Sequence, residues 1–261
     1  MKLVRILVVV GLLGCGRFGF TSSAATDGSA TARDAVATDS YSTAVLADHP
    51  IAYWRFDEPS GTTAHDEVGG HDGTYNGGCT LGVPGALTSP DAAVAFDGTT
   101  CYVDVGDQLS LGGDAAFTIE LWANNALIDG SVRWLVSFDV GSGSNTGYDL
   151  PLQQPMTVWF EEDNSGTSLV YIAATAPALG QFHHLAVTAT STRQRIYIDG
   201  VLATERTFNA TPPVTPGTLV FGHFARYLDA GTNFFTGVMD DLAYYDAELT
   251  AGQLAAHVAA R

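Results

Sequence analysis

Glu161, Glu162 and Asp163 are the one run of three consecutive acids in the chain. Paired carboxyl groups about 5–5.5 Å apart are what a retaining glycoside hydrolase needs across the scissile bond. Such pairs sit at alternating positions of a strand, but Asn164-Ser165-Gly166 follows this run at once. The three acids therefore read as the solvated tip of a hairpin. Glu120 stands on a strand with no acid two residues away. His183 and His184 are adjacent, and neighbours on a strand point to opposite faces, so their imidazoles cannot meet at one ion or substrate. They read as packing residues. No Gly-x-Ser-x-Gly elbow supplies a serine nucleophile. The glycine-rich run from Gly141 to Gly147 lacks the lysine and helix of a phosphate loop, and reads as a strand connection. Without a convergent acid–base or nucleophile set, the expectation is no enzyme.

Binding asks less of the chain than catalysis. A sugar ring packs its C–H face on a flat side chain and leaves its hydroxyls to polar neighbours. Trp159 lies opposite the Val158/Phe160 face and beside Glu161, which makes it the candidate platform. Trp134, in phase with Val132 and Val136, is expected in the core.

Charge narrows the partners. The chain carries 11 basic and 28 acidic residues, a formal charge of −17. Lys2 is the only lysine. Such an acidic surface argues against nucleic acid, because phosphate binding runs on lysine and arginine. It also repels anionic lipid headgroups.

Lys2 and Arg5 precede a short apolar run, Ile6 to Leu13, that ends in Leu12-Leu13-Gly14-Cys15. The run is too short to span a bilayer and reads as an export signal. Its ending resembles a bacterial lipoprotein signal, which implies cleavage after residue 14 and lipid on Cys15. Cleavage would remove two of the 11 basic residues and no acid, leaving a charge near −19. Several acyl chains make a stable anchor where one does not, so the lipid would be the chain's sole membrane contact. The expected location is the bacterial cell envelope. Gly16 offers no acidic retention signal, which leaves transfer to an outer membrane open. Cys79 and Cys101 then remain as an even pair in an oxidising compartment, where a disulfide is expected.

Residues 15–40 are read as the lipidated cysteine and a tether, since Thr21 to Asp39 is small and polar and cannot offset its ordering entropy. Residues 41–261 are read as one domain. Within it the hydrophobic period is two: Val132, Trp134, Val136 and Phe138, then Val158 and Phe160, then Ile196 and Ile198. Asp199-Gly200 between two such runs is a hairpin signal, because type I′ turns need positive φ. Thr250 with Gln253 forms a capping box ahead of Leu254, Ala255 and Val258, the one helix expected. Many short strands and glycine-rich breaks make the fold all-β, an antiparallel two-sheet sandwich.

The wording of these strands resembles a bacterial laminin-G-like jelly-roll domain. Ala52-Tyr-Trp-Arg-Phe-Asp-Glu58, Val94-Ala-Phe-Asp-Gly98, Phe117-Thr-Ile-Glu-Leu-Trp122, Gly180-Gln-Phe-His-His-Leu-Ala-Val187 and Gly237-Val-Met-Asp-Asp-Leu-Ala-Tyr-Tyr245 carry the resemblance by order and spacing. It implies a concanavalin A-like sandwich with a short C-terminal helix. Phe182, where relatives have tryptophan, and the added cysteine pair depart from it. The resemblance also implies a structural Ca²⁺ on Asp240, with backbone oxygens from around Asp57 and Gly98. Asp240 is in phase with Leu242 and Tyr244, so its carboxylate is expected to point inward. Bonds from backbone N–H groups or an arginine such as Arg55 are the alternative. The functional expectation is a membrane-anchored, non-catalytic module recognising polysaccharide or a surface protein. The alternatives are a polysaccharide-active enzyme on the same fold and a purely structural envelope protein.

Overall fold

The computed structural model describes residues 39–88, 90–109, 111, 115–127, 129–139, 147–153, 157–163, 170–208, 217–225 and 233–261. Helix α1 (Ser40–Ala47) is followed by strands β1 (Ala52–Trp54), β2 (Thr63–Ala64), β3 (Gly73–Asn76), β4 (Thr80–Pro84), β5 (Ala92–Asp97), β6 (Tyr102–Gly106) and β7 (Phe117–Asn125). Then come β8 (Val132–Asp139), β9 (Gly147–Gln153), β10 (Thr157–Asp163), β11 (Val170–Thr175), β12 (His183–Thr190), β13 (Arg193–Ile198) and β14 (Val201–Thr207). Strands β15 (Thr218–Phe221) and β16 (Thr236–Tyr245) and helix α2 (Ala251–Ala259) complete the order. No described helix is long and apolar enough to cross a membrane.

The strands form two antiparallel sheets. One runs β14-β13-β12-β7-β16-β5-β4, with β1 also on β16; the other runs β11-β10-β9-β8-β15-β6-β3-β2. Inward side chains of both, among them Trp54, Leu121, Leu185, Leu242 and Tyr244 against Val136, Phe138, Leu150, Phe160 and Phe221, make the central core. The jelly-roll expectation holds. Asp199 and Gly200 have φ of 52° and 75°, the turn geometry read from the sequence, and join β13 to β14. A Cβ on Gly200 would lie 2.9 Å from Ala255 Cα, so glycine there also lets α2 approach the turn. Cys79 and Cys101 are joined by a disulfide with Cα atoms 4.8 Å apart.

A second core lies on the outer face of the first sheet, beneath both helices. Tyr41 and Val45 of α1 and Leu254 of α2 pack there on Tyr53, Trp122, Ala186, Tyr197, Ala243 and Tyr245. The capping box of α2 is present as read. Helix α1 was not expected. Its residues are ordinary helix formers, and what holds it is the buried pair Tyr41 and Val45, one turn apart, with Asp39 as N-cap accepting from the Ser42 N–H at 2.6 Å. Asp39 and Ser40, inside the stretch read as tether, are thus part of this helix and its cap.

Candidate functional site

Strand β16 changes neighbours halfway along one edge. Thr236–Met239 pair with β5 and Leu242–Tyr244 pair with β1, so Asp240 and Asp241 fall at the changeover. The register to β7 also slips there, from Asp240↔Trp122 to Ala243↔Glu120, and Asp241 takes φ 48°. A bulge inverts the alternation of faces. Met239 and Leu242 both point into the central core, while Asp240 shares the outer face with Trp122. The inward placement read from phase with Leu242 and Tyr244 is therefore corrected. Asp240 is buried under the outer layer, not between the sheets.

Asp91, Asp240 and Asp241 converge, with one oxygen from each lying within 4.8 Å of the others. The Ala86 N–H donates to Asp240 Oδ2 at 2.7 Å, and the Tyr53 hydroxyl donates to Asp241 Oδ1. Asp240 Oδ1 and Asp241 Oδ2 are buried without a hydrogen-bond partner. Burial first, then mutual repulsion with Asp241 and Asp91, pushes the Asp240 carboxyl well above its ordinary range; burial does the same for Asp241. Gly85 makes room for the cluster, since a Cβ there would lie 2.1 Å from Asp91 Oδ2 and 2.6 Å from Asp240 Oδ2. Convergent hard oxygens with unpartnered lone pairs fit Ca²⁺ rather than a softer metal. Of the residues expected to contribute backbone oxygens, Asp57 lies close by and Gly98 does not. Asp57 is beside the cluster but engaged, accepting from the Ala92 N–H at 3.0 Å and pairing with Arg55 at 2.8 Å. Arg55 pairs with Asp39 and Asp57 and not with Asp240. Gly98 packs against Thr236, four residues along β16 from Asp240, which is about 13 Å of strand. It is not in the cluster.

Glu120 is at the centre of a second buried network. Its carboxylate accepts from His184 Nε2 at 3.0 Å, from His257 Nδ1 at 3.0 and 3.1 Å, and from the Tyr245 hydroxyl. Its cross-strand neighbours, Ala186 and Ala243, are small and leave room for the His257 ring. Burial raises its pKa, but the imidazole donors win and hold it at about 2. Glu120 is fully buried and ties layers together. His183 turns the other way and meets Asp199 at 2.8 Å, so the two histidines do not converge. Sequence reading missed this network. Its signal was a lone acid inside the apolar run Phe117–Trp122 and a histidine in the apolar stripe of α2.

The outer face of the second sheet carries the aromatic surface. A register shift between Trp134 and Val136 turns both Leu135 and Val136 into the core and Trp134 out of it. The expectation of a core Trp134 is thereby corrected. Its ring is partly exposed, lies opposite Pro151 of β9, and stacks on Phe224 at 4.6 Å with planes 18° apart. Ser137 and Asp149 are cross-strand partners on the same face. The acids Glu161, Glu162 and Asp163 are in β10, not at a hairpin tip, and the register sets Glu161 opposite Asp149. Trp159 is also in β10, opposite Ala173 of β11; its side chain lies outside the described residues, as does Cys15.

Residues 97–255 match the family described as the concanavalin A-like lectin/glucanases superfamily, laminin-G type, and the chain belongs to that family. No curated protein matches the chain. Among solved structures, it is similar to domain 4 of AbnA, a GH43 extracellular arabinanase from Geobacillus stearothermophilus, solved with arabinotriose. That likeness has 17% identity and a TM-score of 0.63, covering 80% of this chain and 98% of the other. The binding domain of Paraclostridial Mosquitocidal Protein 1 gives 13% identity and a TM-score of 0.66, covering 82% of this chain and 52% of the other. A botulinum neurotoxin type C structure, described as depending on two ganglioside molecules for cell entry, gives 14% and 0.64, covering 83% and 52%. The chain thus spans about half the length of the toxin structures. At these identities the likeness establishes the fold.

Proposed function

We propose that the domain is a non-catalytic carbohydrate-binding module, carried at a bacterial envelope by lipid on Cys15. The observation that carries the reading is the partly exposed Trp134–Phe224 stack on the outer face of the second sheet. The AbnA domain solved with arabinotriose supports it as a structural relative. The acidic surface and the absence of lysine beyond Lys2 favour an uncharged polysaccharide over an anionic one. In this reading Ca²⁺ on Asp91, Asp240 and Asp241 is structural, neutralising buried carboxylates where β16 changes partners.

A glycan array with the residue 39–261 domain, followed by calorimetry, tests the reading. Binding to neutral polysaccharide is expected, and retention of an envelope protein in place of any glycan would favour a protein partner. The cross-strand placement of Asp149 and Glu161 favours a second reading, hydrolysis. Release of reducing ends that disappears with Asp149→Asn would establish it. Cys15→Ser should free the full chain from the membrane fraction or leave it unprocessed.

A further inference from the structure

His257 is in α2, yet its ring nitrogens reach two other elements. Nδ1 is 3.0 Å from Glu120 Oε1 on β7, and Nε2 is 3.0 Å from Asp48 Oδ2, the residue that caps the C-terminus of α1. Both partners are carboxylates, which accept and do not donate, so both nitrogens must carry protons. The His257 side chain is 1% exposed and that of Glu120 fully buried, so water cannot substitute for the bond to Glu120, while Asp48 is partly exposed. We propose that His257 is a protonated clamp which docks α1 and α2 on the first sheet and releases them at alkaline pH.

The groups that face the His257 ring come from several elements. Tyr41 of α1 meets it edge-on at 6.3 Å, and Tyr245 of β16 stacks at 6.4 Å while donating to Glu120. His184 of β12 turns its Nε2 to Glu120, and its Nδ1 has no partner. Arg261 lies over the Trp122 ring, 4.7 Å from its centroid, and pairs with neither carboxylate. Neutral His257 could donate to only one acid, and two buried or half-buried carboxylates would then face each other. The carboxylates of Glu120 and Asp48 accordingly hold the His257 pKa above its ordinary value, against the effect of burial. The sign follows. A raised folded-state pKa contributes stability that is complete below the ordinary imidazole value of about 6.5 and is lost as pH rises through the docked value. Between those two values the opening constant of the helices should climb by up to about tenfold per pH unit, then level off.

The test uses the full chain. Long-range proton–nitrogen NMR should show one imidazole, absent in His257→Gln, with both nitrogens in the imidazolium pattern at pH 7. Hydrogen exchange of residues 251–259, corrected for intrinsic base catalysis, should lose protection with that slope in the wild type and stay flat in His257→Gln. A neutral-tautomer pattern for His257 at pH 7 overturns the proposal, and so does an identical pH profile in both chains. If His257→Gln does not fold, the wild-type spectrum, assigned through backbone correlations, decides alone.

Discussion

Asp240 and Trp122 face each other across β16 and β7 on the outer side of the first sheet, because the chain bulges at Asp241. The bulge places two consecutive acids beside Asp91, and Arg55 close by is already engaged by Asp39 and Asp57.

A bound cation should therefore matter most where these acids are ionised. In chelator the raised carboxyls of Asp240 and Asp241 favour the fold only while protonated, so stability should fall as pH climbs above about 4 toward their folded values. Calcium should abolish that fall and raise the melting midpoint, adding about 2.7 kcal/mol of stability at a hundredfold excess over Kd. Asp240→Asn should blunt the calcium response and flatten the pH dependence in chelator. Identical melting curves with calcium and with chelator, and no metal by elemental analysis, would leave the acids as proton-sharing core residues.

Gly85→Ala provides an independent check, since a methyl group would enter the space between Asp91 and Asp240. Calcium affinity should drop at least tenfold with little change in the circular dichroism spectrum. Unaltered affinity would remove Asp91 from the ligand set.

How far the sequence spoke is clearest at these residues. Alternation identified the strands and their inward Val136, Phe138, Val158 and Phe160, the Asp199-Gly200 turn and the α2 capping box were local, and both cysteines were countable. Trp134 and Asp240 were misplaced for one shared reason. A bulge inserts a residue into the ladder without changing the order of residue types, so phase counted along the chain is wrong beyond it. Helix α1 has no strong periodic stripe and is held by tertiary burial of Tyr41 and Val45. Glu120 and His257 are 137 residues apart, and only the folded sheet and helix bring them together.

Glu120 fixes the acid limb of stability. Its folded pKa of about 2 lies below the unfolded value near 4.3, so its contribution is complete above the unfolded value and is lost as pH falls through about 2. A shift of that size corresponds to about 3 kcal/mol. Glu120→Gln should remove most of this acid-dependent loss and destabilise the domain at pH 7 by about 3–5 kcal/mol, because it strands a buried imidazolium. Urea titrations at several pH values measure both effects. An unchanged midpoint at pH 7 would contradict the network.

The disulfide should contribute through the unfolded chain. Cys79 and Cys101 close a loop with a sequence separation of 22, worth about 3 kcal/mol in the chain-entropy estimate. The double change to serine should lower the unfolding free energy from urea titration by that amount, with the m-value reporting any expansion of the unfolded state. Recovery of both as free thiols in non-reducing peptide maps would show that the bond does not form.

The aromatic surface makes the sharpest claim about function. Trp134→Ala removes the partly exposed ring that stacks on Phe224, and it should weaken polysaccharide binding by about 1–3 kcal/mol, a scale borrowed from nucleic-acid bases stacked on aromatic side chains. Trp159→Ala tests whether strand β10, two strands along the same sheet, adds a second stacking position. Glu161→Ala should leave affinity nearly intact if recognition is by stacking, whereas a hydrolase would lose turnover and keep binding. Thermal melts of each variant separate lost contacts from lost structure. A folded Trp134→Ala chain with wild-type affinity would move the binding surface away from the outer face of the second sheet.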